Sequence, residues 1–166
     1  MTVRAGEPYD TRRAVSAIES ALAAPLPGPG PTADEGEPVT GEWASTRGEG
    51  FVLFPLWESD SLTGVYDRDW TDAETAAEAN LAALVAELDT RWGPHRTLPL
   101  TGPESAPPAG EPFRTLLAKD CDGDLALWAP PAGPASRWAA VSLSHSDGDA
   151  PFLLTALVTD RPLEIE

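Results

Sequence analysis

The side chains that could carry out acid–base or nucleophilic chemistry are few in this sequence. Ser144, His145 and Asp147 have the residue types of a serine hydrolase triad. Adjacent strand residues point to opposite faces, so this run cannot itself form a proton relay, and a triad would need distant partners. His145 and His95 are nevertheless candidate general bases of a small hydrolase that takes carboxylates from elsewhere in the chain. That enzyme is the alternative prediction.

Alternate carboxylates occur in the run Asp-Cys-Asp-Gly-Asp at residues 120–124, which resembles the first half of an EF-hand or dockerin-type calcium loop. Leu125 stands where that loop needs glycine, and Pro131 stands where its bidentate glutamate belongs. We therefore expect an acidic turn without a metal, and no cofactor; a calcium-dependent module is the third alternative. Cys121 lies in the same negative field, which disfavours the thiolate that a nucleophile requires.

Glycine motifs do not indicate a phosphate site. Gly48 and Gly50 form a lone G-x-G that no helix follows, so we predict a turn there. The chain also contains no GxSxG, Walker A or HExxH motif. These features favour a non-catalytic protein.

Charge restricts the partners further. The 27 acidic and 11 basic residues give a formal net charge of −16. Nucleic acids and anionic membranes are bound through clustered Lys and Arg, so we expect neither as a partner. The charge is typical either of a solvated, aggregation-resistant surface or of a surface that meets a basic partner. The predicted partner is a protein, basic or not, or a second copy in a homodimer. The sequence has no apolar stretch of roughly 20 residues and no secretory signal, which predicts a cytoplasmic protein.

The sequence divides into three parts. Residues 1–24 read as a helical arm, because Val15, Ile18 and Leu22 recur at helical spacing and Asp10 or Thr11 can cap the helix. Residues 25–41 are rich in proline and glycine and read as an acidic linker. Residues 42–166 form the predicted α+β domain. Whether the helix docks on that domain is left open.

A long amphipathic helix is the most regular element of the domain. It is predicted from about Asp72 to Trp92, with Thr71 and Glu74 as a capping box and Gly93 as the stop. One apolar stripe runs along it: Ala73, Ala77, Leu81, Leu84, Val85, Leu88 and Trp92. Such a stripe predicts packing on a sheet.

Short strands surround this helix in sequence. Runs of β type occur at residues 41–46, 51–57 and 62–67, and a short strand is predicted at 97–100. The run at 51–57 is apolar on both faces, as in a central strand, but Pro55 indicates that one neighbour is missing beside it.

The last three strands read as a meander whose register follows from apolar alternation. Four cross-strand pairs are predicted: Leu125 with Val141, Leu127 with Ala139, Val141 with Ala156, and Leu143 with Leu154. These pairs place one apolar face toward the long helix and put His145 opposite Phe152.

The opposite face of the meander is also apolar, which is unusual for a solvent surface. The predicted register places Trp128, Trp138, Leu153 and Leu157 on it. Three coverings are open: the chain's own N-terminal helix or its loop 101–118, a partner or second copy, or a small molecule. We predict the partner-binding surface at these four residues.

Two segments carry a resemblance to known proteins. RWGPHRTLPL at residues 91–100 and RWAAVSLSHSDGDAPFLLTALVTD at residues 137–160 are similar to an uncharacterised group of small actinobacterial proteins. The resemblance implies a helix and a C-terminal meander, and no catalytic residue. In size, acidity and order of elements the chain also resembles secretion chaperones and toxin-immunity proteins. The leading prediction is a non-catalytic, acidic protein-binding domain of immunity, chaperone or accessory-subunit type.

Overall fold

A computed structural model describes residues 8–36, 43–59, 67–99, 112–119, 121, 123–129, 137–145 and 151–160. The helices are α1 (Thr11–Ala23), α2 (Asp67–Trp92) and α3 (Phe113–Ala118). The strands are β1 (Ala33–Glu35), β2 (Ser45–Gly48), β3 (Phe51–Glu58), β4 (Arg96–Leu98), β5 (Leu125–Trp128), β6 (Trp138–Ser144) and β7 (Leu153–Thr159). All seven strands form one antiparallel sheet in the order β1-β2-β3-β7-β6-β5-β4. The predicted α+β fold, with its long helix on an antiparallel sheet, is confirmed.

Both faces of the sheet are apolar and covered. On one, which we call the α1/α2 face, the buried side chains of β3, β6 and β7 pack with α1 and α2. On the other, the α3 face, residues of β3, β5, β6 and β7 pack with Phe113 and Leu116 of α3 and with Trp43. The sheet is therefore the middle layer of the fold, which is why β3 and β7 read as continuous apolar runs.

The N-terminal helix docks on the rest of the chain, which answers the question that the sequence left open. Of the two predicted caps, Asp10 is the one that caps α1, and it accepts hydrogen bonds from the backbone of Arg12 and Arg13. Val15 and Ile18 are buried in the core cluster shared with β3, β7 and α2. Within the predicted linker, residues 33–35 form β1, the edge strand that pairs with β2.

The long helix begins earlier than predicted. The structure starts α2 at Asp67, so Thr71 lies inside the helix and the predicted capping box is wrong. The apolar surface continues one turn further than the predicted stripe, because the Trp70 ring packs against Phe152 at 5.7 Å. Its 26 residues give a length of roughly 39 Å. The predicted end is confirmed: Gly93 has φ +90° and its N–H donates to the carbonyl of Asp89.

Pro55 lies in β3 where the sheet can accommodate a residue without an N–H. The β2 pairing extends along β3 only to Leu53, so Pro55 pairs with β7 alone among the described strands. A bulge between Pro55 and Trp57 then shifts the register against β7. The prediction of a missing neighbour is confirmed. The predicted strand at 62–67 lies outside the described residues except Asp67, which begins α2.

The predicted register is right for one pair of strands and wrong for the other. Leu143 pairs with Leu154 and Val141 with Ala156, as expected. Leu127, however, pairs with Ala140 and not with Ala139, a slip of one residue that exchanges the two faces of β5. Alternation alone could not set this register, because both faces of β5 are apolar.

Candidate functional site

The four residues predicted to bind a partner do not share an exposed face. The slip in β5 places Trp128 on the α1/α2 face, while Trp138, Leu153 and Leu157 lie on the α3 face. Trp128 and Leu153 each expose 3% of their surface and Leu157 exposes 1%, while Trp138 is half-buried. Exposures of this size leave almost no surface of the three buried side chains for a partner to contact.

The chain itself covers the α3 face. Phe113 and Leu116 of α3, together with Trp43 and Cys121, share one buried cluster with Leu153 and Leu157. The sequence left three possible coverings for this face. The structure shows one of them, a segment of the chain itself, which is the end of the stretch 101–118. That helix was not predicted, because it is six residues long, follows a proline-rich stretch and has no side-chain cap.

His145 lies in an aromatic cluster. Its ring stacks on Phe152, with centroids 4.4 Å apart, and lies 5.5 Å from the Trp70 ring. Ser144 points to the other face, where its hydroxyl accepts a hydrogen bond from the Gly123 N–H at 3.1 Å. Ser144 and His145 therefore lie on opposite faces, which agrees with the prediction that this run cannot form a proton relay. Asp147 lies outside the described residues.

His95 is bound to a carboxylate at the C-terminal end of α2. Its Nδ1 lies 3.1 Å from both carboxylate oxygens of Asp89, and its backbone N–H donates to Oδ1 at 2.9 Å. The Trp128 indole N–H donates to the same Oδ1 at 3.0 Å and to the Gly93 carbonyl at 3.1 Å. Desolvation opposes ionisation of Asp89, but the hydrogen bonds from His95 and Trp128 outweigh it and lower the pKa of this carboxyl. Asp89 thus fixes the helix end to β5.

The acidic run at residues 120–124 offers little to a metal within the described part of the chain. Cys121 is fully buried, and its thiol lies 3.6 Å from the Lys119 carbonyl and 3.8 Å from the Thr155 hydroxyl. Asp120 and Asp122 lie outside the described residues. Among those that are described, no group of three or more His, Cys, Asp or Glu side chains could hold a metal ion.

A groove of about 490 Å³ lies on the α1/α2 face. One wall is α1 and the segment that follows it, and the floor and second wall come from β1, β2 and β3. The main contacts of α1 with the sheet are with β7 and β3, and the groove lies between α1 and the β1–β2 end. We call this feature the α1 groove.

Small and apolar side chains give the α1 groove its room. Ala17 and Ala21 of α1, Leu26 of the segment after it, and Val52 and Phe54 of β3 belong to its lining. The segment that contains Leu26 is held in place, because the Pro27 carbonyl accepts a hydrogen bond from the Gly50 N–H at 2.9 Å. Gly50, at φ +75°, is the turn between β2 and β3 that the sequence predicted.

Polar groups from distant parts of the sequence converge on the α1 groove. Arg13 comes from α1, Arg47 from β2 and Glu35 from β1, and all three are exposed. Ser16 and Ser20 stand on the same wall as Arg13. The Ser45 hydroxyl donates to Glu35 at 3.5 Å across the strands. The described lining therefore contains two arginines and one glutamate, in a chain whose net charge is −16.

Sequence reasoning did not find the α1 groove. Its lining comes from a helix that was predicted as an arm, from a strand inside the predicted proline-rich linker, and from a central strand. Only the fold brings these elements together. The one available signal was the position of Arg13, Ser16 and Ser20 on the polar side of the first helix, opposite Ile18.

Comparison with protein-family models, with curated proteins and with solved structures gives no match for this chain. The resemblance drawn from residues 91–100 and 137–160 therefore stays a prediction. Among the described residues, no helix is long and apolar enough to cross a membrane.

Proposed function

We propose that this protein is a non-catalytic binding protein and that the α1 groove is its binding site. The proposal keeps the binding role predicted from the sequence and moves the contact surface from the meander to the groove. The observation that carries it is an open concavity of about 490 Å³ with an apolar floor and a few convergent polar groups. Ligand sites of proteins have this combination of size and lining.

The acidic surface retains its predicted role in this proposal. A net charge of −16 attracts a basic protein over long range and speeds its association. A basic protein partner is therefore attracted by the acidic surface, and the α1 groove makes the specific contacts.

Native mass spectrometry of the protein purified without denaturation from its own cells tests this proposal. The substitution Ala21→Trp fills the groove, and the matched control Ala83→Trp adds the same side chain to an exposed position of α2. We expect a bound species on the wild type and on Ala83→Trp that is lost from Ala21→Trp. A species retained by Ala21→Trp at the same occupancy, or none on the wild type, would contradict the proposal.

A hydrolase is the second candidate, and one observation favours it. Asp89 holds His95 through Nδ1, which is the orientation that a general base receives in a catalytic dyad. The test is hydrolysis of 4-nitrophenyl esters by the wild type and by His95→Gln. A rate that depends on His95, with an unchanged melting temperature, would support the enzyme. Equal rates for both proteins would dismiss it.

A further inference from the structure

We propose that the α1 groove binds one amphipathic helix of a basic partner protein, which lies over β1 and β2 beside α1 and becomes a third helix on the α1/α2 face. This inference rests on the proposed function and names the kind of segment that the groove binds. The position and the shape of the groove lead to this occupant.

The helices on the α1/α2 face stop short of one end of the sheet. α2 has its main contacts with α1 and β6, and α1 contacts the sheet mainly at β7 and β3. In the strand order β1-β2-β3-β7-β6-β5-β4, the strands β2 and β1 lie beyond α1, and neither α1 nor α2 has its main contacts there. The α1 groove lies at this end of the face.

The spacing of helices and strands leaves a place for one helix there. Packed helices lie about 8–10 Å apart, and neighbouring strands lie about 4.7–4.9 Å apart, so one helix covers about two strands. A helix that packs beside α1 therefore lies above β2 and β1. These two strands complete the described sheet on that side, so one added helix extends the helical layer to the edge strand.

The α1 groove runs along α1 and does not surround a single turn of it. Its lining recurs on the helix at spacings of three and four residues, from Arg13 to Ala24 at the C-cap. The rise from Arg13 to Ala24 is roughly 17 Å, or about three turns of helix. A groove of this length fits the apolar stripe of a second helix, whose residues i, i+3 or i+4 and i+7 lie on one side.

The lining has an apolar middle and a polar rim, as protein interfaces do. Ala17 and Ala21 have small side chains, which allow a neighbouring helix to approach α1 closely, and Val52 and Phe54 of β3 are apolar. Four polar residues of the lining are exposed: Ser16, Ser20, Glu35 and Arg47. The apolar middle receives the stripe of the bound helix, and the polar residues contact its flanks.

Charge selects the protein to which the helix belongs. The chain has a net charge of −16, and a second copy carries the same charge, so two copies repel each other over long range. A basic protein is attracted by the same field. The bound helix therefore belongs to a different, basic protein and not to a second copy of this chain.

Site-specific photo-crosslinking in the protein's own cells tests the proposal. p-Benzoylphenylalanine replaces Ser16, an exposed residue of the groove lining, and the matched control carries it in place of Ala83 on the exposed side of α2. We expect position 16 to crosslink a basic protein through a helical segment with apolar residues at i, i+3 or i+4 and i+7. Position 83 should not crosslink that protein.

A synthetic peptide with the sequence of the crosslinked segment completes the test. It should bind the wild type and gain helicity by circular dichroism. Ala21→Trp and Ala44→Trp, which fill the groove from α1 and from the start of β2, should each weaken binding at least tenfold, and Ala83→Trp should leave it unchanged. Melting temperatures of the three variants show that the fold is kept, and either groove variant alone suffices.

Several outcomes would overturn the inference. They are a crosslink to a second copy of the chain, a crosslink to an extended segment, no crosslink at position 16, and a peptide whose affinity neither groove variant changes. A small molecule that native mass spectrometry finds on the wild type and not on Ala21→Trp would then leave the proposed binding function in place with a different ligand. Absence of both a crosslink and a bound species would refute the binding function as well.

Discussion

The two faces of the sheet are both apolar, yet they are covered in different ways. The α1/α2 face lies under helices of 13 and 26 residues, and the α1 groove remains beside them. The α3 face lies partly under a helix of six residues and contains a row of buried polar groups, of which Ser142 and Thr155 face each other across β6 and β7. Apolar alternation alone therefore does not predict which face has a groove. The α1 groove lies on the face that carries the two larger helices.

The strongest test of this comparison uses two leucines of β7. Leu154 is fully buried on the α1/α2 face, and Leu157 is 1% exposed on the α3 face. Replacing either by alanine leaves a cavity in a packed core, so each should lower the free energy of unfolding by about 2–5 kcal/mol. Urea denaturation of both variants provides the measurement.

The two leucine variants also decide what the α3 face is. If it is a core layer, Leu157→Ala costs about as much as Leu154→Ala. A loss below about 1 kcal/mol for Leu157→Ala alone would mean that α3 opens readily, and would return the predicted partner surface at Leu153, Leu157 and Trp138 to consideration.

The attachment of α1 is the second test, because the α1 groove exists only while this helix is docked. Arg137 donates to the carbonyls of Leu22, at 2.8 Å, and Ala24 at the C-terminal end of α1. Arg137→Met removes these charged donors and keeps much of the side chain. We expect a loss of about 1–3 kcal/mol in unfolding free energy. Arg96→Met, at an exposed site, is the control.

An unchanged stability of Arg137→Met, within the error of the denaturation curves, would contradict this account. Apolar burial of Val15 and Ile18 would then hold the helix alone, and the groove would not depend on the capped end of α1.

Local sequence signals predicted the features that depend on one element and its neighbour. The stripe of α2, the cap at Asp10 and the β6–β7 register all follow from periodicity or from a short connection. The register of β5 did not follow, since its loop to β6 is long and the structure ties Trp128 to Asp89, which is 39 residues away. The α1 groove required the same long-range information.

Acid provides a third test that compares ionic contacts on the two faces. Asp34 of β1 accepts hydrogen bonds from Lys119 at 2.8 Å and from Thr46 at 2.6 Å, while Asp89 is bound by His95 and Trp128. Desolvation opposes ionisation of Asp34, but these bonds and the Lys119 charge lower its pKa from the ordinary 3.8, and the pKa of Asp89 is lowered similarly.

Lowered folded-state pKa values fix the sign of the pH dependence. Each carboxylate stabilises the fold above its ordinary pKa, and that contribution is lost as pH falls through the lower folded value. Asp34→Asn and Asp89→Asn should therefore destabilise the protein more at pH 7 than at pH 3, with Asp72→Asn, an exposed residue of α2, as the control. If the loss of unfolding free energy were the same at both pH values for both variants, the contacts would act as neutral hydrogen bonds and not as ionic ones.

The smallest effect is expected for the exposed ion pair that joins α1 and α2. Arg91 of α2 contacts Glu87 at 2.9 Å and Glu19 of α1 at 3.2 Å, and all three side chains are about half exposed. Exposed ion pairs contribute little, so the coupling energy of Glu19 and Arg91 in a double-mutant cycle with glutamine should be about 0.5 kcal/mol or less and vanish in 1 M NaCl. A coupling above about 1 kcal/mol that survives salt would mean that charge, and not the apolar contact of Ile18 and Val15, positions α1 beside its groove.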